Sequence, residues 1–270
     1  MEKFFTTRDP LDEIIAKTLP DKKILKTEHI LTGWTNIVIE VTTDNGAYFF
    51  RFPRNPFWSK MIVKDAAVCN FVEGKTSYYT PQMKLYYDEK KRPFSVHEKI
   101  EGYTLGDRIY NLSHTALTGV AYDTAKFIKE LSGIDLRNAP EKVKYPLSKF
   151  LHELDYKHYD EHIDADHEFI KATETENLVH GDLNLGNILL DENDKMIGVI
   201  DFCFAGTGNP NMDVARMVSR PAPEEFTREF LIYFDNAEEI ERMREAWKNI
   251  DAGYAGHIRA KFPEINLNQL

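Results

Sequence analysis

The stretch Leu178–Phe204, LVHGDLNLGNILLDENDKMIGVIDFCF, constrains this chain more than any other. Two apolar runs, Asn187-Ile188-Leu189-Leu190 and Met196-Ile197-Gly198-Val199-Ile200, flank the turn cluster Asp191-Glu192-Asn193-Asp194. That pattern predicts a short β-hairpin. Strands folded back in this way carry Asn187 and Asp201 to the same end of the ribbon. An amide oxygen and a carboxylate brought together there are hard oxygen donors, suited to Mg²⁺ bound with substrate phosphates. Asp182 lies in the loop before the first strand, placed to accept a proton from a hydroxyl approaching those phosphates.

Length and charge narrow the classes open to the rest. A chain of 270 residues with 42% hydrophobic residues can bury roughly three quarters of its unfolded surface, enough for one large domain or two intimate lobes. Its net charge of -10 argues against nucleic acid as a partner, because phosphate backbones require basic patches. The same charge fits a cationic substrate. Cys69 and Cys203 stand far apart, with neither a disulfide pattern nor zinc spacing. The opening MEKFFTTRDP lacks the apolar core of a signal peptide, and no apolar run reaches the length of a membrane span. A soluble cytoplasmic protein is expected, without membrane contact and without repeats or low-complexity segments.

Before the hairpin the pattern is first strand-like and then helical. A short helix is expected after Asp9-Pro10, closed by Pro20. Strand signals follow at His29–Leu31, Ile37–Val41 and Ala47–Phe52, the last two joined by Asp44-Asn45-Gly46, a hairpin signature. A helix over Lys60–Glu73 comes next, then strands over Pro81–Tyr87 and Pro93–Ile100. Beyond Gly102, Ser113 caps a predicted helix from Thr115 to Leu131 that Gly133 stops. Residues 147–176 are thick in acids and histidines, and His158 and His162 sit four apart. No glutamate follows His158 and no third ligand is marked, so a solvated helix face is favoured over zinc. Two further helices are expected over Glu224–Asp235 and Ala237–Ile250, the second ending at Ala252-Gly253. Trp247 and Tyr254 either pack in the core or line a cleft.

HGDLNLGN followed by IDF resembles the catalytic segment of the aminoglycoside phosphotransferases and their small-molecule kinase relatives, a family similar in fold to the protein kinases. The resemblance runs from about Ile30 to Arg216. It implies an α+β, two-lobed protein-kinase-like fold: a small antiparallel β-sheet lobe with one main helix over residues 1–100, binding nucleotide, and a mainly helical lobe over 101–270 for catalysis and acceptor. It further implies Asp182 as catalytic base, with Asn187 and Asp201 holding Mg²⁺ and His180 bracing the loop. Gly33, Thr35 and Asn36 would form the turn over the nucleotide phosphates, and Arg51 would supply the cation that reaches them. Arg51 stands where lysine is more usual, and a guanidinium clamps phosphate with a different geometry. Asp65 would pair with Arg51. His97, Glu98, Lys99 and Ile100 would meet the purine through their backbone, which leaves ATP and GTP both open. Asp213, in the run GTGNPNMDVA, would bond the backbone of the catalytic loop.

The activity so implied is transfer of a γ-phosphoryl group of ATP or GTP to a hydroxyl of a small acceptor, a cationic aminoglycoside-type antibiotic first among the candidates. Acids in segment 147–176 would attract such a polyamine. A kinase of choline, a sugar or a macrolide is the nearest alternative, although no aromatic cage for a quaternary amine is evident. A protein kinase is disfavoured by His-Gly-Asp in place of His-Arg-Asp, by the lack of a lysine two residues after Asp182, and by the absence of Ala-Pro-Glu. A nucleotide-binding module without catalysis is the remaining reading, opposed by the intact Asp182, Asn187 and Asp201. Oligomeric state and the site of phosphorylation are not written in the sequence.

Overall fold

The structure is a computed structural model that describes residues 4–30, 35–154 and 161–261. Within it the chain divides into two compact units, one containing the residues up to Asn70 with Pro81–Ile100, the other Phe71–Thr80 with Glu101–His257.

The first unit is built on an antiparallel sheet of order β1-β2-β3-β5-β4. Its elements are α1 (Leu11–Thr18), β1 (Ile24–Ile30), β2 (Asn36–Thr43), β3 (Gly46–Pro53), α2 (Pro56–Val72), β4 (Lys84–Tyr87) and β5 (Pro93–Glu98). Thr43 pairs with Gly46 across the two-residue turn that Asp44-Asn45-Gly46 predicted. Side chains two apart share a sheet face, and Ile37, Ile39 and Val41 with Tyr48, Phe50 and Phe52 form one buried cluster with Leu11 and Ile15 of α1. Helix α2 starts four residues before the expected Lys60. Its true start was marked by Pro56 and by Asn55, whose Oδ1 accepts the Trp58 N–H at 2.9 Å.

Arg92 ties the N-terminal segment to this unit. Its guanidinium donates to Phe4 O at 2.7 Å, Asp9 Oδ1 at 2.7 Å and Asp88 Oδ2 at 2.9 Å and lies 4.0 Å over the Phe5 ring. The side chain is only 4% exposed. Arg92→Met leaves two largely buried carboxylates without their shared cation, and urea unfolding should report a loss of about 3–5 kcal/mol. Burial raises the Asp9 pKa, but bonds from Arg92 and Thr6 outweigh that and hold it below its ordinary value. A depressed carboxylate stabilises the fold at neutral pH, and this share is lost as pH falls below about 4.

The second unit is mainly helical. It contains β6 (Tyr103–Thr104), α3 (Leu105–Arg108), α4 (His114–Ser132), α5 (Leu147–Glu153), α6 (Glu161–Ala172), β7 (Asn177–Val179), β8 (Ile188–Leu190), β9 (Met196–Val199), β10 (Gly206–Gly208), α7 (Asn211–Ser219), α8 (Glu224–Leu231) and, as far as His257, α9 (Ala237–Lys261). Ser113 Oγ caps α4 by accepting the Ala116 N–H at 3.2 Å. The helix buries Leu117, Val120, Ala121, Thr124, Phe127, Ile128 and Leu131, the stripe its spacing predicts. Helix α9 does not stop at Ala252-Gly253. An interior glycine costs about 1 kcal/mol, and burial of Met243, Trp247 and Ile250 offsets it. No helix among the described residues is long and apolar enough to cross a membrane.

In the acidic segment, Asp166 is buried and structural, pairing with Arg242 at 2.7 Å and accepting a bond from Asn249 at 2.7 Å. His158 lies outside the described residues, as do Asp155, Asp160 and the side chain of His162.

Candidate active site

β8 and β9 form the predicted hairpin, with Ile188 paired to Val199 and Ile200 N donating to Asn187 O at 2.9 Å. Asn187 and the residue before Asp201 are therefore backbone partners at one end of the ribbon. Asp201 has φ 63 and ψ 66, a left-handed conformation that aspartate tolerates better than most side chains.

The loop from His180 to Asn187 is held from several directions. The buried Asp213 carboxylate accepts the N–H groups of His180 at 2.7 Å and Gly181 at 2.8 Å. Burial raises the Asp213 pKa, and these two amides pull it the other way. Gly181 has φ +77, and a Cβ there would meet Phe204 O at 2.7 Å, so a side chain is excluded by backbone and by space. His180 Nδ1 lies 3.3 Å from the Asp182 N–H and Nε2 lies 3.0 Å from Ile200 O. One ring nitrogen accepts and the other donates, which defines a neutral Nε2–H imidazole. Asp182 O in turn accepts the side-chain amides of Asn184 at 2.9 Å and Asn187 at 2.8 Å.

The Asp182 carboxylate is oriented by Arg216 of α7. Nε lies 2.8 Å and Nη2 2.7 Å from the same oxygen, Oδ1, while Oδ2 takes neither bond. The Arg216 Nη1 meets Asp251 Oδ2 of α9 at 2.5 Å, and its guanidinium lies 4.7 Å from the centre of the Trp247 ring. Trp247 is fully buried and donates its indole N–H to Met212 O at 3.1 Å, which places it in the core. Burial disfavours charge on Arg216, but Asp182 and Asp251 outweigh it and raise its pKa above the ordinary arginine value.

Asn187 and Asp201 supply an amide oxygen and a carboxylate. With the Asn187 amide nitrogen engaged by Asp182 O, its oxygen is directed away from that bond. Hard oxygen donors of this kind fit Mg²⁺, which is usually held by one or two carboxylates together with phosphates. Among the described residues no three His, Cys, Asp or Glu side chains converge as a fuller cage.

In the first unit, Arg51 of β3 and Asp65 of α2 meet at 2.7 Å with both side chains buried, and Cys69 donates to Asp65 Oδ1 at 3.5 Å. Gly33 lies outside the described residues. Asn36 is not in the expected turn: it is the first residue of β2, paired with Pro53, with Thr35 just before it accepting the Arg54 N–H at 3.1 Å through its carbonyl. The β-branched run that begins at Ile37 extends one residue back, because Pro53 offers a partner. His97 and Glu98 end β5 opposite Phe49 and Tyr48, Lys99 N donates to Ala47 O at 2.9 Å, and Ile100 follows. The Lys99 ammonium pairs with Glu40 at 2.8 Å. β4 pairs no further than Val96, so it does not cover the residues from His97 onward.

Arg216 and Asp251 were not anticipated. A clue was present for Arg216: it follows Asp213 by three residues, so both share one helix face, and a buried arginine requires an acidic partner. Asp251 comes from a helix with no marked link to the loop.

The chain belongs to the phosphotransferase enzyme family, whose profile it matches over residues 26–250. No curated protein matches the sequence. Solved structures share the fold. The GDP and kanamycin complex of APH(2")-IIia is 21% identical with a TM-score of 0.74, covering 94% of each chain. The ADP-bound aminoglycoside phosphotransferase APH(2'')-Ib is 20% identical with a TM-score of 0.65, covering 96% of this chain and 94% of that one. Macrolide 2'-phosphotransferase MphH from Brachybacterium faecium is 14% identical with a TM-score of 0.64, covering 94% of each. The protein is thus a member of a phosphotransferase family with the kinase-like α+β fold of the aminoglycoside phosphotransferases.

Proposed function

We propose that the protein transfers the γ-phosphoryl group of ATP or GTP to a hydroxyl of a small molecule, with aminoglycoside-type compounds the first acceptor class to try. The observation that carries this reading is the Asp182 carboxylate, held through Oδ1 by Arg216 beside the hairpin end that bears Asn187 and Asp201. Oδ2 is then the oxygen available to a hydroxyl proton. The loop contacts fix the carboxylate in advance, and such positioning is where phosphoryl transfer gains most of its rate. Asn187 and Asp201 would hold Mg²⁺, which when bound neutralises phosphate charge. We assign the residues up to about 100 to nucleotide binding and the rest to catalysis and acceptor. In the first part Arg51, braced by Asp65, would contact the nucleotide phosphates, and the backbone of His97–Ile100 the base. Thr35 and Asn36 adjoin the proposed phosphate turn. The nucleotide and kanamycin of the solved relatives support the donor and the acceptor class.

The test is ADP or GDP release with Mg²⁺ across aminoglycosides, macrolides, choline and simple sugars. Release stimulated by one acceptor supports the reading, and failure to bind either nucleotide with Mg²⁺ overturns it. Arg51→Ala should raise the KM for nucleotide by about tenfold or more, the worth of one charge-assisted contact. An unchanged KM in steady-state titration removes Arg51 from the donor site.

A further inference from the structure

A cavity of about 360 Å³ lies along α4, where Tyr122, Ala125, Lys126, Lys129 and Glu130 meet Tyr233, just beyond the end of α8. A different face of α4 meets the hairpin of β8 and β9: the Thr124 hydroxyl lies 3.9 Å from the Met196 sulfur, and the Phe127 ring 6.4 Å from that of Phe202. We propose that this cavity is a binding site for a small aromatic molecule bearing an anionic group such as a carboxylate. The inference goes beyond the phosphotransferase reading and uses no step of it.

The charge of the walls selects the anion. In a chain with 44 acidic and 34 basic residues, this cavity holds two lysines and one carboxylate. That carboxylate is already engaged from the side: Glu130 accepts the Ser77 N–H through Oε2 and the Ser77 hydroxyl through Oε1, both at 2.7 Å. Lys126 approaches it only to 3.6 Å. The Lys129 ammonium has no carboxylate partner among the described residues and lies 5.5 Å from the centre of the Phe234 ring. An ammonium carries three donors on a flexible stem, so both lysines can turn toward an oxyanion in the cavity. The rings select the rest of the ligand. Tyr122 and Tyr233 meet edge to face, with centroids 5.6 Å apart and planes at 69°. Tyr122 is nevertheless 50% exposed, and the buried Ala125 beside it is too small to fill the space. Tyrosines left open in this way offer a face and an edge to a further ring, the two geometries aromatic pairs prefer. The volume is that of a site for a small organic molecule rather than a bare ion. A polyamine would be repelled by the two ammonium groups.

The test uses the full chain with saturating ADP and Mg²⁺ to fill any donor site, titrated with 2-naphthoate and, separately, with the neutral 2-naphthamide. Thermal stabilisation and saturation-transfer NMR of the ligand are read together. The expected result is saturable binding of 2-naphthoate, weakened about fivefold or more in Lys129→Gln and in Tyr122→Ala, and weaker by a similar factor for the amide. Both residues are exposed on α4, and glutamine and alanine are good helix formers, so the two variants keep their fold. Asp182→Asn should bind 2-naphthoate as the wild type does, which separates this cavity from the phosphotransferase reading. Loss of binding in Asp182→Asn would place the ligand in the candidate active site and overturn the proposal. So would the absence of saturable binding, an affinity unchanged in either α4 variant, or an amide that binds as tightly as the acid.

Discussion

Asp182→Asn should lower acceptor-stimulated nucleoside diphosphate release by about 10²–10⁴-fold, the usual share of a general base. The amide keeps an oxygen toward Arg216 and preserves the volume of the side chain. Nucleotide affinity, measured by fluorescence or calorimetry, should therefore stay near wild type while kcat collapses. This split is the signature of a group that acts on the hydroxyl and not on the donor. If turnover falls by less than about fivefold, the proton leaves by another route and the assignment of Asp182 is lost.

Arg216→Met should lower kcat by about 10–100-fold, because a carboxylate freed at Oδ1 no longer holds one geometry. Unfolding should also register a loss of about 1–3 kcal/mol, since Asp182 and Asp251, both partly exposed, lose a shared charged donor. Arg216→Lys restores the charge without the fork and should fall between the two. Assays run well below the unfolding transition separate the effects. A variant that is fully folded and turns over at the wild-type rate would show that Arg216 serves stability alone.

Much of this arrangement was legible beforehand because its determinants are local. The hairpin of β8 and β9 follows from two apolar runs around four turn residues, and α4 follows from Ser113, its apolar stripe and Gly133. The clamp of Asp213 on the loop came from family resemblance and matches the bonds to His180 and Gly181. The rest depended on distance along the chain. Asp251 reaches Arg216 from a separate helix, and no spacing rule connects the two. Element ends were misplaced where a cue was overlooked or overruled: Asn55-Pro56 starts α2 early, and buried apolar residues carry α9 through Gly253.

Asp213 and Arg216 project from adjacent turns of α7, one gripping the backbone ahead of Asp182 and the other its carboxylate. The two stretches stand 33 residues apart in sequence, yet neither can drift without the other. A change that slides or rotates α7 alters loop shape and the orientation of the Asp182 carboxylate in the same stroke. Evolution can retune this pair only by concerted substitution, so divergence is expected to accumulate elsewhere, on the elements that leave α7 in register.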